Sequence, residues 1–112
     1  MSFALKNSKA VIITYFRDVL ATFGIPIVVL VYSDYGEVGV HIRKNWRPVL
    51  TYDKDVELEF LQSFVHEHVP PLTQDISVLT TLSGAENSIR AEELATSDPL
   101  FDQKLADALR SL

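Results

Sequence analysis

A short basic and aromatic segment is the part of the sequence best suited to binding a ligand. It reads His41-Ile42-Arg43-Lys44-Asn45-Trp46-Arg47, and its candidate ligand-binding residues are His41, Arg43, Lys44, Trp46 and Arg47. Side chains alternate along a strand, so His41 and Arg43 should share one face, with the other three in or beside a turn. Cations beside an indole can hold a phosphate, a carboxylate or a stacked base. The alternative is a solvated strand face, with Trp46 covering the edge of the core.

Two groups of metal-ligand residue types have the wrong spacing for a metal site. In His66-Glu67-His68 the histidines lie about 200° apart around a helix and cannot bind one ion together. The zinc-protease motif needs its histidines four residues apart. The second group comprises the acids Asp53, Asp55, Glu57 and Glu59. It lacks the glycine and final glutamate of a calcium-binding EF-hand loop, and such acids favour a helix N-terminus. We therefore expect no metal and no cofactor.

Short catalytic motifs are missing from the sequence. Cysteine is absent, which excludes disulfides and thiolate nucleophiles. With four glycines and no Gly-x-Ser-x-Gly elbow, neither a phosphate-binding loop nor a hydrolase nucleophile can be written. A restriction-enzyme-type nuclease would follow Asp34 with an acid and a lysine on the next strand, where this chain has His41 and Arg43. A non-catalytic protein is the expectation, and a catalytic site without a short motif stays open.

Length and composition indicate one soluble domain covering residues 1–112. Hydrophobic residues make up 47% and charged residues 22%, values usual for a globular domain. The N-terminal residues lack the basic and apolar pattern of a signal peptide, so a cytoplasmic location is expected. The apolar stretch from Ala10 to Tyr32 is interrupted by Arg17, Asp18, Gly24 and Pro26. No membrane partner is expected, because a spanning helix needs about 20 apolar residues.

Periodicity predicts the order helix, three strands, helix, strand and two helices. The first helix is expected at residues 9–23, where apolar residues recur at helical spacing. Strands are expected at residues 27–33, 38–43 and 49–52, separated by turns at Asp34-Tyr35-Gly36 and residues 45–48. A second helix should start at Asp53 or Asp55 and end before Pro70-Pro71. A fourth strand is expected at residues 75–82. Residues 86–96 are helix or loop, with a helix favoured by capping-box spacing, and a last helix is expected at 98–112.

This order predicts an α+β fold with an N-terminal helix, a three-strand antiparallel meander and helices packed on one face of the sheet. Its element order and acidity are similar to those of type III secretion chaperones, a resemblance at the level of fold, which does not by itself assign a function. The last helix carries an apolar stripe that forms the candidate interface: Phe101, Leu105, Leu109 and Leu112. We therefore expect a non-catalytic protein-interaction module, an adaptor, chaperone or regulator, that forms a homodimer.

Charge is unevenly distributed along the chain, and this keeps other partners open. Residues 1–52 hold six Lys/Arg and three Asp/Glu, and residues 53–112 hold four and twelve. The basic half leaves a nucleic-acid or anionic-ligand binder as the alternative, using the segment 41–47. The acidic half allows a third role, in which the protein mimics nucleic acid and blocks a basic partner. Opposite net charges on the two halves also give two copies of the chain complementary surfaces.

Overall fold

The structure is a computed structural model that describes residues 9–17, 20–32, 37–74, 89–95 and 97–112. Its elements are β1 Lys9–Phe16, β2 Gly24–Tyr32, β3 Val38–Ile42, α1 Arg47–Tyr52, α2 Leu58–Gln74, β4 Ile89–Ala95 and α3 Phe101–Ser111. The four strands form one antiparallel sheet in the order β3-β2-β1-β4. The predicted α+β class is confirmed.

Helices cover both faces of the sheet, so the prediction that they pack on one face is wrong. Alternate residues of β1 supply the two cores because side chains alternate along a strand. Val11 and Ile13 pack in the core that contains α1 and α2 residues such as Val49 and Leu61. On the opposite face, the core comprises Ala10, Ile12, Val29, Leu94, Phe101, Leu105 and Ala108, the last three from α3. We call the two sides the α2 face and the α3 face.

The predicted N-terminal helix at residues 9–23 is wrong, because its first half is the strand β1 and its last residues precede β2. Ala10 to Ile13 are all at most 7% exposed. A strand buried on both faces is apolar at every position, so helical spacing can be found in it as readily as alternation. The β-branched run Val11-Ile12-Ile13-Thr14 is typical of a strand. It should have outweighed the helical spacing.

Two further assignments are also corrected. Residues 49–52, predicted as a strand, belong to α1, where Pro48 lies in the first turn and suits a helix start. In the segment 86–96, predicted as helical, Ile89–Ala95 form β4. Its Ala, Glu and Leu residues favour a helix, but pairing with β1 overrides that local preference.

Other predicted elements are present with shifted bounds. The strands expected at 27–33 and 38–43 are β2 and β3, and the last helix is α3. α2 starts at Leu58 and runs through Pro70 and Pro71, which were expected to end it. Both prolines are exposed, so water can satisfy the two carbonyl groups that their missing N–H groups leave unbonded. The expected turn at 34–36 and strand at 75–82 lie outside the described residues. No helix in the described part of the chain is long and apolar enough to span a membrane.

Candidate functional site

The strand β3 forms an apolar margin of the sheet. Within the described residues, β3 has a neighbour only on the β2 side. Its sequence, Val-Gly-Val-His-Ile, contains no charged residue. Val40 is 40% exposed and Ile42 is 41% exposed. We call Val38–Ile42, together with their outward backbone groups, the β3 edge.

The backbone groups at the β3 edge are placed by the pairing with β2. The Arg43 N–H donates to the Ile27 carbonyl at 2.9 Å, and His41 lies opposite Val29. In an antiparallel pair, bonded residues alternate with residues whose N–H and C=O groups point to the other side. The N–H and C=O groups of Val38, Val40 and Ile42 therefore point away from β2, toward the outer side of the strand.

The opposite margin of the sheet is protected by charge. β4 carries Arg90, Glu92 and Glu93 within its seven residues. The Glu93 carboxylate pairs with the Lys9 ammonium at 3.3 Å. The Arg90 guanidinium lies 3.9 Å from the centre of the Phe16 ring. Charged side chains on a margin oppose pairing with another strand, and β3 lacks this protection.

A groove of about 360 Å³ lies between the β3 edge and the C-terminal end of α3. Its lining consists of Val40, His41, Ile42, Lys44, Leu109 and Leu112. It brings together two of the predicted ligand-binding residues, His41 and Lys44, with two of the predicted interface residues, Leu109 and Leu112. The groove is apolar along α3 and basic at Lys44, and the outward backbone groups of β3 run beside it.

Arg43, predicted as a ligand-binding residue, is only 4% exposed. Its Nε donates to the Pro26 carbonyl at 2.9 Å and its Nη1 to the Asn45 carbonyl at 3.1 Å. Its Nη2 donates to the Ser111 carbonyl at the end of α3. Burial lowers the pKa of the Arg43 guanidinium, and the negative end of the α3 dipole favours the cation there. Arg43 joins β2, β3 and α3 from within.

The remaining predicted ligand-binding residues lie apart from the groove. Trp46 precedes α1 and packs, half-buried, against the core of the α2 face. Arg47 is exposed as the first residue of α1, and its N–H donates to the Asn45 Oδ1 at 3.1 Å. The structure therefore does not gather the five residues His41, Arg43, Lys44, Trp46 and Arg47 into one patch.

The predicted interface stripe on α3 is divided by burial. Phe101 is 2% exposed and Leu105 is fully buried, and both pack against the sheet within the chain. Leu109 and Leu112 are half-buried beside them and line the groove. The stripe thus serves first as the inner face of an amphipathic helix, and its C-terminal end reaches the surface.

A second cleft, of about 510 Å³, lies near the end of α1 and is lined by Arg17, Thr51, Tyr52, Asp53, Lys54 and Asp55. The Tyr15 hydroxyl donates to the Asp53 Oδ2 at 2.6 Å, and burial is the main cause that raises the pKa of Tyr15. The Tyr52 hydroxyl accepts the Arg17 N–H at 3.0 Å and donates to the Phe23 carbonyl. Two cations and two carboxylates line this cleft, so its charge does not select a ligand.

The two histidines of α2, His66 and His68, differ in their exposure and contacts. His66 is exposed, and the His68 ring lies on the Phe64 ring with centroids 4.2 Å apart. In the described part of the chain, no group of three or more His, Asp or Glu side chains is placed to hold a metal ion.

The residues that sequence reasoning missed are the apolar residues of β3, Val38, Val40 and Ile42. Their alternation with Gly39 and His41 predicted a strand with one apolar face. It does not reveal that the strand lies at the margin of the sheet. The missing charge in a five-residue strand was a usable signal, because margins that avoid pairing usually carry charge.

Comparison with known proteins gives no relative: no family model matches the chain, and no curated protein or solved structure is significantly similar to it.

Proposed function

We propose that this protein is a non-catalytic protein-interaction module that binds a strand of a protein partner along the β3 edge. The observation that carries this proposal is the outward-facing, uncharged and partly exposed margin formed by Val38–Ile42. A partner strand that pairs there gains backbone hydrogen bonds for affinity and side-chain contacts for specificity.

The contrast between the two margins of the sheet supports the proposal. β4 carries three charged residues, and β3 carries none. An exposed apolar margin is a liability for aggregation unless a partner covers it. Its retention on one side, in a sheet whose other side is charged, fits a surface that is used for binding.

The groove beside β3 gives a partner strand side-chain contacts as well. Leu109 and Leu112 provide apolar surface, and the exposed Lys44 provides a cation at one end. A strand laid along β3 would place every second side chain over this groove, because side chains alternate. An adaptor, chaperone-like or regulatory role would use such a surface.

The alternative role, as a binder of nucleic acid or an anionic ligand, has weaker support. Its five residues do not share one patch, since Arg43 is buried and Trp46 packs on the α2 face. Only His41 and Lys44 line the same groove. Retention on heparin at low salt, compared between the unmodified chain and Lys44→Ala, tests this role.

Amide hydrogen exchange tests the proposed function. Exchange is measured on the chain across a range of concentrations, and again with a synthetic peptide of residues 37–44 as the probe strand. We expect the amides of Val40 and Ile42 to be protected in at least one of these conditions. Val40→Lys should remove the protection, because a charge at the margin opposes pairing.

Ala95→Lys is the matched control, because Ala95 is an exposed residue of the opposite strand β4. It should leave the protection of the β3 amides unchanged. The proposal is wrong if the outward β3 amides exchange freely at every concentration and also with saturating peptide.

A further inference from the structure

The geometry points to a second copy of this chain as the partner: we infer that two β3 strands pair antiparallel about a two-fold axis at Val40 and join the four described strands of each copy into one continuous sheet. This inference rests on the proposed function, because it names the partner of the same edge. Symmetric dimers of this kind use one surface that is complementary to itself. The β3 edge meets that requirement in its backbone, its side chains and its charges.

The backbone fixes the register. With Val40 opposite Val40 of the second copy, Val38 lies opposite Ile42, so every outward-facing residue meets another one. Each opposed pair can exchange two hydrogen bonds, which gives about six across the interface. Moving the centre to Gly39 or His41 leaves one outward residue of each copy without a counterpart. The Val40 register therefore uses all the outward groups of β3.

The side chains fit the same register. Val38, Val40 and Ile42 lie on one face of the strand, so the two copies form a continuous apolar row. On the other face, His41 lies opposite Gly39 of the second copy. A Cβ built at Gly39 would be in ordinary van der Waals contact with the His41 Nε2 of the same copy, at 3.7 Å, so the His41 ring of each copy lies beside its own glycine. Gly39 carries no side chain, so it places no side-chain atom against the His41 ring of the other copy.

The charges flanking β3 are complementary in an antiparallel pair. The exposed acid Glu37 precedes the strand, and the exposed cation Lys44 follows it. Antiparallel pairing about Val40 places Glu37 of each copy at the end of the strand where Lys44 of the other copy lies. A parallel pair would place like charges together. Charge complementarity of this kind selects orientation more than it adds affinity.

The two-fold axis also explains the groove. It is perpendicular to the sheet, so both α3 helices lie on the same side, each packed over the β2 strand of its own copy. The two β2 strands would be separated by about 14 Å, three strand spacings, whereas packed helices lie about 8–10 Å apart. Leu109 and Leu112 of both copies face this interval and would fill part of it.

Disulfide trapping tests the inference, and the natural absence of cysteine makes each introduced thiol unique. Val40→Cys should form a covalent dimer on mild oxidation, because opposed Cα atoms about 5.5 Å apart fall within disulfide reach. Val38→Cys alone should not, because its two copies lie about 13 Å apart along the strands. A mixture of Val38→Cys and Ile42→Cys should form the mixed dimer.

Ala95→Cys, on the exposed part of β4, is the control for random collision. We expect Val40→Cys to be trapped about tenfold faster than this control. Equal rates, or efficient trapping of Val38→Cys alone, would overturn the inference. If trapping fails while the peptide still protects the β3 amides, the edge accepts an added strand but not a whole second copy, so the dimer is wrong and the interaction module stands. If both fail, both proposals are wrong.

Discussion

Arg43 shows how one buried cation can hold three elements together without a carboxylate. Its guanidinium donates to the carbonyls of Pro26, Asn45 and Ser111. Pro26 belongs to β2, Asn45 to the segment that follows β3, and Ser111 to the end of α3. A charged group with this little exposure is tolerated only where its donors are satisfied. The sequence placed Arg43 in a candidate ligand site, because residue type alone does not tell whether a cation faces solvent or carbonyl groups.

Replacing Arg43 should therefore cost stability. We expect Arg43→Ala to lower the free energy of unfolding by about 3 kcal/mol, because three carbonyls lose a charged donor and the buried Arg43 side chain leaves a cavity. Urea denaturation measures this change. Arg47→Ala, an exposed arginine nearby, is the matched control and should change stability by less than about 0.5 kcal/mol. Similar losses for both variants would contradict the role given to Arg43.

Tyr32 makes stability depend on pH in the alkaline range. Its hydroxyl donates to the Leu72 carbonyl at 2.7 Å, and burial raises the pKa of Tyr32 from 10.0 to about 12. The unfolded chain then releases this proton at a lower pH than the folded chain. The contribution is fully present below pH 10.0 and is lost as the pH rises toward 12.

We expect Tyr32→Phe to reduce this alkaline loss, while the part that comes from the raised pKa of Tyr15 remains. Urea denaturation of both chains at several pH values between 10 and 12 measures it. Below pH 10.0 the difference between the chains should be constant, since neither state titrates this group there. An unchanged alkaline slope in Tyr32→Phe would show that another group is responsible.

At the scale of elements, the start of β2 depends on a close approach between Gly24 and the end of β1. A Cβ at Gly24 would lie 2.7 Å from both the Tyr15 carbonyl oxygen and the Thr14 Cγ2. The sequence predicted a helix at residues 9–23, which would end just before Gly24. The structure shows instead that Gly24 starts β2, opposite Phe16 of β1.

Gly24→Ala should destabilise the protein by about 1–3 kcal/mol, because backbone atoms must move to admit the methyl group. Gly39→Ala, measured at a concentration at which the chain is monomeric, is the matched control in β3, where a Cβ meets its nearest neighbour at 3.7 Å. The control should be neutral or slightly stabilising, because alanine restricts the unfolded chain. Thermal unfolding measures the melting temperatures of both variants. Equal melting temperatures for Gly24→Ala and Gly39→Ala would contradict the close approach at Gly24.

How far the sequence predicts each element follows from how many of its faces are buried. β2, β3 and α3 were predictable because a β-branched run, an alternation and an amphipathic stripe each fit one type of element. β1 is apolar on both faces, so its sequence fits the spacing of a helix as well as that of a strand. β4 contains residues that favour a helix, and it forms a strand because it pairs with β1. Lys44 and the Leu109–Leu112 end of α3 were identified as candidate site residues. Their meeting in one groove depends on long-range packing that no local pattern encodes.

At the scale of the whole molecule, the charges that flank β3 determine the orientation in which two copies can pair. The segment around β3 runs from the acid Glu37 to the cation Lys44, so reversing the strand exchanges their positions. Two copies that pair antiparallel bring unlike charges together twice. The net charge of −5 carries no such information.

Charge reversal at this site should weaken the dimer and a second reversal should restore it. Lys44→Glu places two acids together at each end of the paired strands, and we expect about a three- to tenfold loss of dimer affinity. Glu37→Lys should act similarly. The double variant should recover most of the affinity, as measured by sedimentation equilibrium at low salt. A double variant weaker than either single one would contradict the antiparallel register.

The central claim is that the β3 edge joins this chain to a partner strand, with a second copy as that partner. Light scattering during size-exclusion chromatography, repeated over a range of concentrations, tests it most directly. The unmodified chain should approach twice its monomer mass of 12.6 kDa as concentration rises, and Ala95→Lys should do the same. Val40→Lys should stay at the monomer mass while keeping its circular dichroism spectrum. A monomer at every concentration, or a Val40→Lys variant that associates as well as Ala95→Lys, would contradict the claim.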